Sequence, residues 1–272
     1  MTIHVQNPAA RRLLIQKQLI LDGAVSVEAL SRLLGVSLPT IRRDLAMLED
    51  GRLVRRTHGG AIVEAPRGAD QAFALREQID TDEKRAIARA ALALLEPDAT
   101  VLMNDGSTLL AVAREIVASN LKLTVVTPGV NIAALLSESP NISTYLLGGN
   151  LRHQSLGTSG AFAEQMLQSF NADLALIAAE GFTALDGLTY SYEADATLAQ
   201  LMHKRASQTV VLATARKLTE RDRISALRTN QANTLITGCR DRATITGFEN
   251  LGLHVIVAND AASDSNPDTG NP

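Results

Sequence analysis

Apolar residues in the first fifty positions of the chain recur three or four apart, which is the spacing of a helix with one buried face. This pattern and the residues that bound it predict helices over residues 11–21 and 26–34 and, after a tight turn at 35–37, a third helix that runs to about Asp50. Ser26 is placed as a cap for the second helix. The apolar face of that helix consists of Leu30, Leu33 and Leu34. Residues 53–56 and 61–63 flank a glycine turn, and we expect them to pair as strands. Three helices followed by a hairpin is the order of a winged helix-turn-helix.

Farther along the chain, short apolar runs alternate with helical segments. The runs predict strands over residues 99–103, 122–127, 142–147, 173–178, 209–213, 233–237 and 253–257. The segments between them predict helices over residues 82–95, 108–118, 130–137, 160–169 and 194–206. Such alternation is typical of a mostly parallel sheet with helices on both faces. The sequence therefore predicts an α/β fold for the larger part of the chain.

A stretch with few apolar residues separates the two patterns, and it contains Pro66 and Gly68. The last residues are mostly Asp, Ser, Asn, Pro and Gly, a composition typical of disorder. We therefore predict a winged helix-turn-helix domain over 8–63, a linker over 64–80, an α/β effector-sensing domain over 81–258 and a disordered tail over 259–272.

The charge of the chain is unevenly distributed. The net charge is −3 over 272 residues, but residues 1–62 hold nine Lys or Arg and five Asp or Glu, which leaves −7 for the rest. A basic N-terminal region followed by an acidic remainder suggests that the N-terminal region has an anionic partner. The single cysteine, Cys239, forms no internal disulfide and is expected to be structural. No signal peptide or apolar run of about 18 residues is found, so we expect a cytoplasmic protein without membrane contact.

The third helix has two chemically different faces. At about 100° per residue, the apolar side chains of Ile41, Leu45 and Leu48 fall on one side. Arg43 falls on the opposite side, with Arg42 beside it. Arginine bonds bidentately to guanine or clamps a phosphate, which suits a helix in a major groove. An ordinary amphipathic helix with a solvated basic face has the same pattern, so the pattern alone leaves both interpretations open.

The residues at the start of this helix favour a nucleic-acid contact as well. Ser37 is placed to cap the helix. Pro39 lies in the first turn, where no N–H donor is needed. Thr40 puts a hydroxyl at the end of the helix where backbone N–H groups can meet a phosphate.

Ten residues of this region, at their spacing, resemble the helix-turn-helix signature of the DeoR family of bacterial regulators. They are Arg11, Ile15, Leu19, Ser37 and Thr40-Ile41-Arg42-Arg43-Asp44-Leu45. Residues 55–61, Arg-Arg-Thr-His-Gly-Gly-Ala, look like the wing of that family. The resemblance implies that the partner is double-stranded operator DNA. By this resemblance the residues that face DNA are Ser37, Pro39, Thr40, Arg42 and Arg43, with Arg55 and Arg56 holding the flanking backbone.

Two further residues of this region have alternative roles. His58 either contacts a phosphate or the minor groove, or it is a turn residue that shapes the wing. Asp44 is acidic although it lies in a DNA-facing element, and its wheel position points sideways toward the scaffold. We expect Asp44 to pair with Arg11 or Arg52 and to orient the helix.

The resemblance continues over residues 82–238. Asp82-Glu83-Lys84-Arg85-Ala86-Ile87-Ala88 looks like the start of the family's effector domain, which is similar in fold to ribose-5-phosphate isomerase. Further matches are Asp105-Gly106-Ser107-Thr108, Leu123-Thr124-Val125-Val126-Thr127, Leu147-Gly148-Gly149-Asn150-Leu151-Arg152, Gly187-Leu188-Thr189 and Val210-Val211-Leu212-Ala213.

One of these matches has the properties of an anion site. Residues 106–108 lie between a predicted strand and a predicted helix, where small residues and the helix N-terminus favour a negative group. The alternative is a capped turn without a ligand. Glu193 and Asp195 are either acid–base groups or helix-terminal acids, and Glu193 is retained as a possible ligand contact. The residues expected to contact the effector are Asp105, Gly106, Ser107, Thr108, Arg152, Glu193 and Lys217.

Several polar positions depart from the family pattern. Residues 104–108 are Asn-Asp-Gly-Ser-Thr, where the family usually has Asp-Ser-Gly-Thr-Thr. Thr127-Pro128 stands where the family usually has Thr-Asn, and Ala179-Glu180-Gly181 where it has Ala-Asp-Gly. Ala199 replaces a usual lysine, and Thr214 replaces a usual aspartate. A sugar phosphate is recognised through such positions. We therefore expect the part of the site that binds an anion to persist, while the part that contacts the sugar recognises a different chemical group. The alternative is a degenerate site.

These observations favour a ligand-responsive repressor of a sugar or related catabolic operon. Its effector is expected to be a small anionic metabolite such as a sugar phosphate. We expect a homo-oligomer, a dimer or larger, because one helix reads few base pairs, with half-sites spaced by about 10 bp or multiples of it. The alternatives are an activator, an effector-independent regulator, and an isomerase fused to a DNA-binding module. Ala199 and Glu180 argue against isomerase chemistry, so no catalytic residue, metal or cofactor is expected.

Overall fold

The protein is described by a computed structural model that covers residues 7–22, 24–50, 54–57, 60–63, 73, 76–152 and 155–259. The chain divides into two compact units, Met1–Ile79 and Asp80–Pro272. The tail predicted over 259–272 lies outside the described residues from 260 onward, and so does most of the linker predicted over 64–80.

The first unit has the three helices and the hairpin that the sequence predicts. Its elements are α1 (Pro8–Asp22), β1 (Ala24–Ser26), α2 (Val27–Leu34), α3 (Leu38–Asp50), β2 (Val54–Thr57) and β3 (Gly60–Val63). The unexpected element is β1, which pairs with β3 in an antiparallel sheet of order β1-β3-β2. Three residues are too short a strand to display an alternating pattern.

The core of the first unit consists of apolar side chains from its three helices. They are Ile15, Val27, Leu30, Leu34, Ile41, Leu45 and Leu48. Ser26 caps α2 as predicted, since its hydroxyl accepts a hydrogen bond from the N–H of Ala29 at 3.1 Å. The prediction for Leu33 was wrong, because its side chain is 37% exposed. Val27 completes the buried face instead, since it is seven residues before Leu34 and lies above it on the helix.

The second unit begins with six alternating elements: α4 (Thr81–Leu92), β4 (Thr100–Met103), α5 (Ser107–Ser119), β5 (Leu123–Thr127), α6 (Val130–Leu136) and β6 (Ile142–Leu146). Then come β7 (Asn150–Arg152), β8 (Gly157–Ser159), α7 (Ala161–Gln168), β9 (Ala172–Ala178), β10 (Gly181–Thr183) and β11 (Gly187–Tyr190). The last elements are α8 (Glu193–Arg205), β12 (Ala206–Leu212), β13 (Ile224–Leu227), β14 (Thr234–Thr237), α9 (Arg242–Glu249) and β15 (His254–Val257), with 3₁₀ helices at Ala215–Thr219 and Thr229–Gln231.

The seven strands predicted for this unit form one parallel sheet of order β15-β14-β12-β9-β4-β5-β6. The predicted α/β class is therefore confirmed. Two further pieces of sheet were not expected: the β7–β8 hairpin and an antiparallel sheet of order β10-β11-β13. None of their five strands is longer than four residues.

The order of the strands determines where a ligand site is expected. From β4 the chain adds β5 and β6 on one side, and then β9, β12, β14 and β15 on the other. The direction of winding changes between β4 and β9, and open α/β sheets bind ligands at the carboxyl ends of the strands at such a point. Residues that directly follow Met103 and Ala178 lie at this position.

Glu83, in the first turn of α4, ties that helix to the carboxyl ends of two other strands. Its carboxylate accepts hydrogen bonds from the N–H groups of Ala215, at 2.7 Å, and Gly238, at 3.1 Å. These residues follow β12 and β14. Burial raises the pKa of Glu83, and the hydrogen bond from Ala215 acts in the opposite direction. This carboxylate thus joins three elements of the unit.

The main core of the second unit is apolar and includes Cys239, which is buried and free, as expected of a structural residue. Phe182 and Phe248 stack there with ring centroids 5.0 Å apart. None of the helices in the part of the chain that the structure describes is both long and apolar enough to cross a membrane.

Candidate functional site

The two faces predicted for the third helix are present in α3. Ile41, Leu45 and Leu48 are buried in the core of the first unit. Arg42 and Arg43 are exposed to solvent. The helix therefore presents two guanidinium groups on the side away from its core.

At the start of α3, Ser37 and Pro39 are also exposed. The hydroxyl oxygens of Ser37 and Thr40 lie 2.9 Å apart and share a hydrogen bond. Arg55 and Arg56 belong to β2 and pair through their backbones with β3. Their side chains, and all of His58, lie outside the described residues.

Asp44 pairs with Arg11, as the helical wheel predicts. The Nε atom of Arg11 donates to Oδ2 of Asp44 at 2.6 Å, and Nη2 donates to Oδ1 at 3.3 Å. Both side chains are buried, with 8% and 6% of their surfaces exposed. This bidentate ion pair joins α1 to α3 and fixes the orientation of the helix that carries Arg42 and Arg43. Arg52, the other predicted partner, lies outside the described residues.

In the second unit, the loop between β4 and α5 lies where the winding of the sheet reverses. Gly106 precedes the helix with a φ of 128°, a conformation in which a side chain would be strained. Ser107 and Thr108 form the first turn of α5, a 13-residue helix, and both are partly exposed. The predicted small-residue turn at a helix N-terminus is therefore present, with N–H groups that are suited to an anion.

Arg152, the last residue of β7, reaches this loop. Its Nη2 atom lies 3.2 Å from Oδ2 of Asp105, and its Nη1 donates to Oδ2 of Asp195. Its Nε donates to the hydroxyl of Ser155 at 3.0 Å. A side chain at Gly157, opposite Arg152 in the hairpin, would overlap the carboxylate of Asp105. The structure thus brings together Asp105 and Arg152, which are 47 positions apart in the chain.

The charges in this cluster perturb one another. Burial raises the pKa of Asp195 to about 6, and Asp105 and Glu180 add to the effect, while the hydrogen bond from Arg152 opposes it. Burial disfavours the charged form of Arg152, but Asp105, Asp195 and Glu180 raise its pKa above the ordinary value. The guanidinium group therefore stays charged while Asp195 titrates near neutrality.

Residues outside the expected effector contacts also lie at this end of the sheet. The side-chain amide of Asn104 donates to the carbonyl of Ala178 at 3.1 Å and accepts from its N–H at 2.8 Å, which joins the ends of β4 and β9. The hydroxyl of Tyr190 donates to the same carbonyl at 3.1 Å. Burial raises the pKa of Tyr190 well above 10, with Glu180 contributing next.

Glu180 accepts a hydrogen bond from the N–H of Ser191 at 2.7 Å. Asn104 directly follows β4 and Glu180 lies two residues after β9, which was a usable signal in the sequence. Tyr190 gave no such signal.

Two of the expected effector residues, Glu193 and Lys217, do not belong to the cluster of charges around Arg152. Glu193, the first residue of α8, is exposed, whereas Asp195 two positions later is buried against Arg152. Lys217 pairs with Glu220 at 2.7 Å, and the same carboxylate also binds Arg216. Among the described residues, no group of three or more His, Cys, Asp and Glu side chains is arranged to hold a metal ion.

Comparison with known proteins identifies both units. The family model "DeoR C terminal sensor domain" matches residues 79–239, and "DeoR-like helix-turn-helix domain" matches residues 11–67. The chain is 32% identical over 238 residues to the HTH-type transcriptional regulator GolR of Listeria innocua, covering 87% of this chain and 93% of that protein. It is 28% identical over 225 residues to the lactose phosphotransferase system repressor of Lactococcus lactis, covering 82% and 88%.

Among solved structures, ribose-5-phosphate isomerase A of Methanocaldococcus jannaschii aligns with a TM-score of 0.39 and 17% identity, over 52% of this chain and 55% of that one. The sensor-domain model alone spans more than half of the chain, and the helix-turn-helix model matches the unit in which Arg42 and Arg43 are exposed. The chain therefore belongs to the DeoR family of DNA-binding transcriptional regulators.

Proposed function

We propose that the protein is a repressor of a sugar or related catabolic operon, that it binds operator DNA through α3 and the wing, and that a small anionic metabolite releases it. The observation that carries the DNA-binding part is the exposed arginine face of α3, held in place by the buried Arg11–Asp44 pair. The sugar-related target is supported by the name of the lactococcal relative. The proposed DNA contacts are Ser37, Pro39, Thr40, Arg42, Arg43, Arg55 and Arg56.

Arg43 and Arg55 are expected to have different roles on DNA. Arg43 is exposed on the helix that reads the major groove, so Arg43→Ala is expected to weaken operator binding by roughly 1–3 kcal/mol and to relax base preference. Arg55 is on the wing and meets phosphate, so Arg55→Ala should weaken binding to all sequences similarly and lower the salt slope by about 1.

The measurement is a titration of each variant against operator and scrambled duplexes over a range of salt concentrations. The operator duplex carries two half-sites about 10 bp apart, because we propose that a homo-oligomer binds, and the scrambled duplex has the same length and base composition. Identical specificity profiles for the two variants would contradict the division of roles. Binding of a single isolated half-site by a monomer would contradict the proposed oligomer.

The effector part of the proposal is supported by the first turn of α5. Its backbone N–H groups at residues 106–108 are suited to a phosphate or carboxylate, and Arg152 lies at the neighbouring Asp105. Lys217 and Glu193 remain expected contacts. The effector itself can be sought by thermal-shift screening of phosphorylated sugars and related metabolites, because a ligand of the folded state raises its stability.

A negative charge at Ser107 is expected to abolish the response to the effector. In Ser107→Asp the new carboxylate repels an anion and occupies the N–H groups at the helix end. Operator binding should remain, because the DNA-binding residues belong to the other unit. The measurement is operator binding with and without the metabolite found in the screen. Ser107→Asn, similar in shape but uncharged, is the matched control and should retain most of the response. A full response in Ser107→Asp would move the effector site away from α5.

A further inference from the structure

Arg152, which reaches the loop of the proposed anion site, is held by two carboxylates. Asp105 and Asp195 bind its two Nη atoms, and Ser155 binds Nε. All three ionic side chains are mostly buried, with 18%, 13% and 8% of the surfaces of Arg152, Asp105 and Asp195 exposed. The ring of Tyr192 lies against the guanidinium group, with 5.0 Å from the ring centroid to Cζ. An anion that approaches Arg152 thus meets a cation whose charge is already compensated.

The charge balance around Arg152 is unfavourable for a second anion. Asp105, Asp195 and Glu180 all act on Arg152, and together they carry three negative charges against its one positive charge when ionised. A phosphate that approached this cluster would be repelled unless one carboxylate moved away or took up a proton.

The two carboxylates that bind Arg152 are not equally replaceable. The carboxylate of Asp105 packs against Gly157, where a Cβ atom would overlap it, so β8 confines it. Asp195 lies in the first turn of α8 and makes one hydrogen bond to the guanidinium group. The packing of β8 thus restricts Asp105, while burial and the charge of Asp105 disfavour the ionised form of Asp195 that binds Arg152.

We infer that Asp195 controls the affinity of the effector site by competing with the anionic ligand for the guanidinium group of Arg152. The inference rests on the proposed function and deepens it, because it assigns control of ligand affinity to a residue outside the expected contacts. Asp195 then acts as an internal substitute for the anion. A ligand binds when its phosphate or carboxylate replaces Asp195 on Arg152.

The competition makes binding dependent on pH. The groups around Asp195 are Asp105 on the β4–α5 loop, Arg152 on β7, Glu180 after β9 and Tyr190 on β11, and of these Tyr190 stays protonated in the neutral range. Asp195 has a pKa of about 6, so above that pH it is ionised and holds Arg152. Below it the side chain is neutral and releases the guanidinium group. Anion affinity should therefore rise as the pH falls, and replacing Asp195 by asparagine should remove that dependence.

The experiment is calorimetric titration of the full chain with inorganic sulfate, at constant ionic strength, at about pH 5.5 and about pH 8. Sulfate is used because its charge is constant over this range, so any change belongs to the protein. The protonated fraction of a group with a pKa near 6 falls about tenfold per pH unit above it. We expect the wild-type Kd to be at least about tenfold lower at the acidic pH. We expect Asp195→Asn to bind with the same tight Kd at both values.

The control is Glu138→Gln, the same chemical change at an exposed position near the end of α6, which should reproduce the wild-type profile. Scanning calorimetry of both variants, measured in parallel, verifies that the sensor unit, to which both positions belong, is folded. If Asp195→Asn proves unstable, the wild-type pH profile still decides, because a Kd that is independent of pH would overturn the inference.

Two other outcomes separate the inference from the proposed function. If the wild type binds sulfate and Asp195→Asn has the same Kd and pH profile, the anion site stands and the role of Asp195 is overturned. If neither protein binds sulfate at either pH, the competition and the anion site itself are both overturned.

Discussion

Asp44→Ala is expected to unfold the DNA-binding unit at a temperature at which the sensor unit is still folded. The substitution removes both hydrogen bonds between Asp44 and the buried guanidinium group of Arg11. Breaking a buried ion pair by removing one partner costs about 3–5 kcal/mol, because a charge is left in surroundings of low polarity. A small domain is stable by about 5–15 kcal/mol, so the loss is a large part of the total. Operator affinity should fall with it.

The measurement is differential scanning calorimetry, which follows the unfolding of the two units as separate transitions. Asp44→Asn keeps the shape of the side chain and should cost less than alanine. Glu28→Ala removes a carboxylate from an exposed position in the same unit and should change stability by less than about 0.5 kcal/mol. If Asp44→Ala leaves the transition of the DNA-binding unit where it is in the wild type, the pair does not hold α1 to α3.

Gly187→Ala should destabilise the sensor unit by about 3 kcal/mol or more. Gly187 begins β11 with a φ of 74°, and a Cβ atom there would overlap the carbonyl oxygen of Leu227 on the neighbouring strand β13. Backbone atoms of a paired strand cannot rotate away as a flexible side chain can. The substitution therefore adds a steric overlap to the strain of a left-handed backbone.

Gly252→Ala separates the two causes. Gly252 has a φ of 90°, but no atom lies within 4 Å of its added Cβ atom. Its cost should be the backbone strain alone, about 1–2 kcal/mol. Urea unfolding of both variants, followed by circular dichroism, measures the difference. Equal losses at the two positions would show that the contact with Leu227 does not matter, and that β11 and β13 can move apart.

The sequence could predict the elements whose residues form a regular pattern. The strands β4, β9 and β12 contain runs of buried apolar residues, and α3 has a clear division between Ile41, Leu45 and Leu48 and its two arginines. The strands β1, β7, β8 and β10 have only three residues each, which is too few for a period to emerge, and β11 (Gly-Leu-Thr-Tyr) contains no run of apolar residues. For α9 a signal was present and was missed: Asp241 caps it by accepting from the N–H of Thr244 at 2.9 Å.

At the effector site the sequence could supply candidates but not their arrangement. Asp105 and Arg152 stand out by type and by the motifs around them, yet their contact depends on the β7–β8 hairpin folding back over the β4–α5 loop. Glu193 and Asp195 are equivalent by sequence as acids in the first turn of one helix. Two residues along a helix is a rotation of about 200°, so only one of them faces Arg152. The packing of α8 decides which one, and that depends on contacts distant in sequence.

The side chain of Asn104 has a thermodynamic consequence for recognition. Its amide exchanges two hydrogen bonds with the backbone of Ala178, as a peptide group would in the next rung of the sheet. The ends of β4 and β9 are therefore fixed where the two chains separate toward Asp105 and Glu180. A ligand bound there finds these carboxylates already ordered, so little conformational entropy is lost on that side. The entropic cost of association is left mainly to the ligand itself.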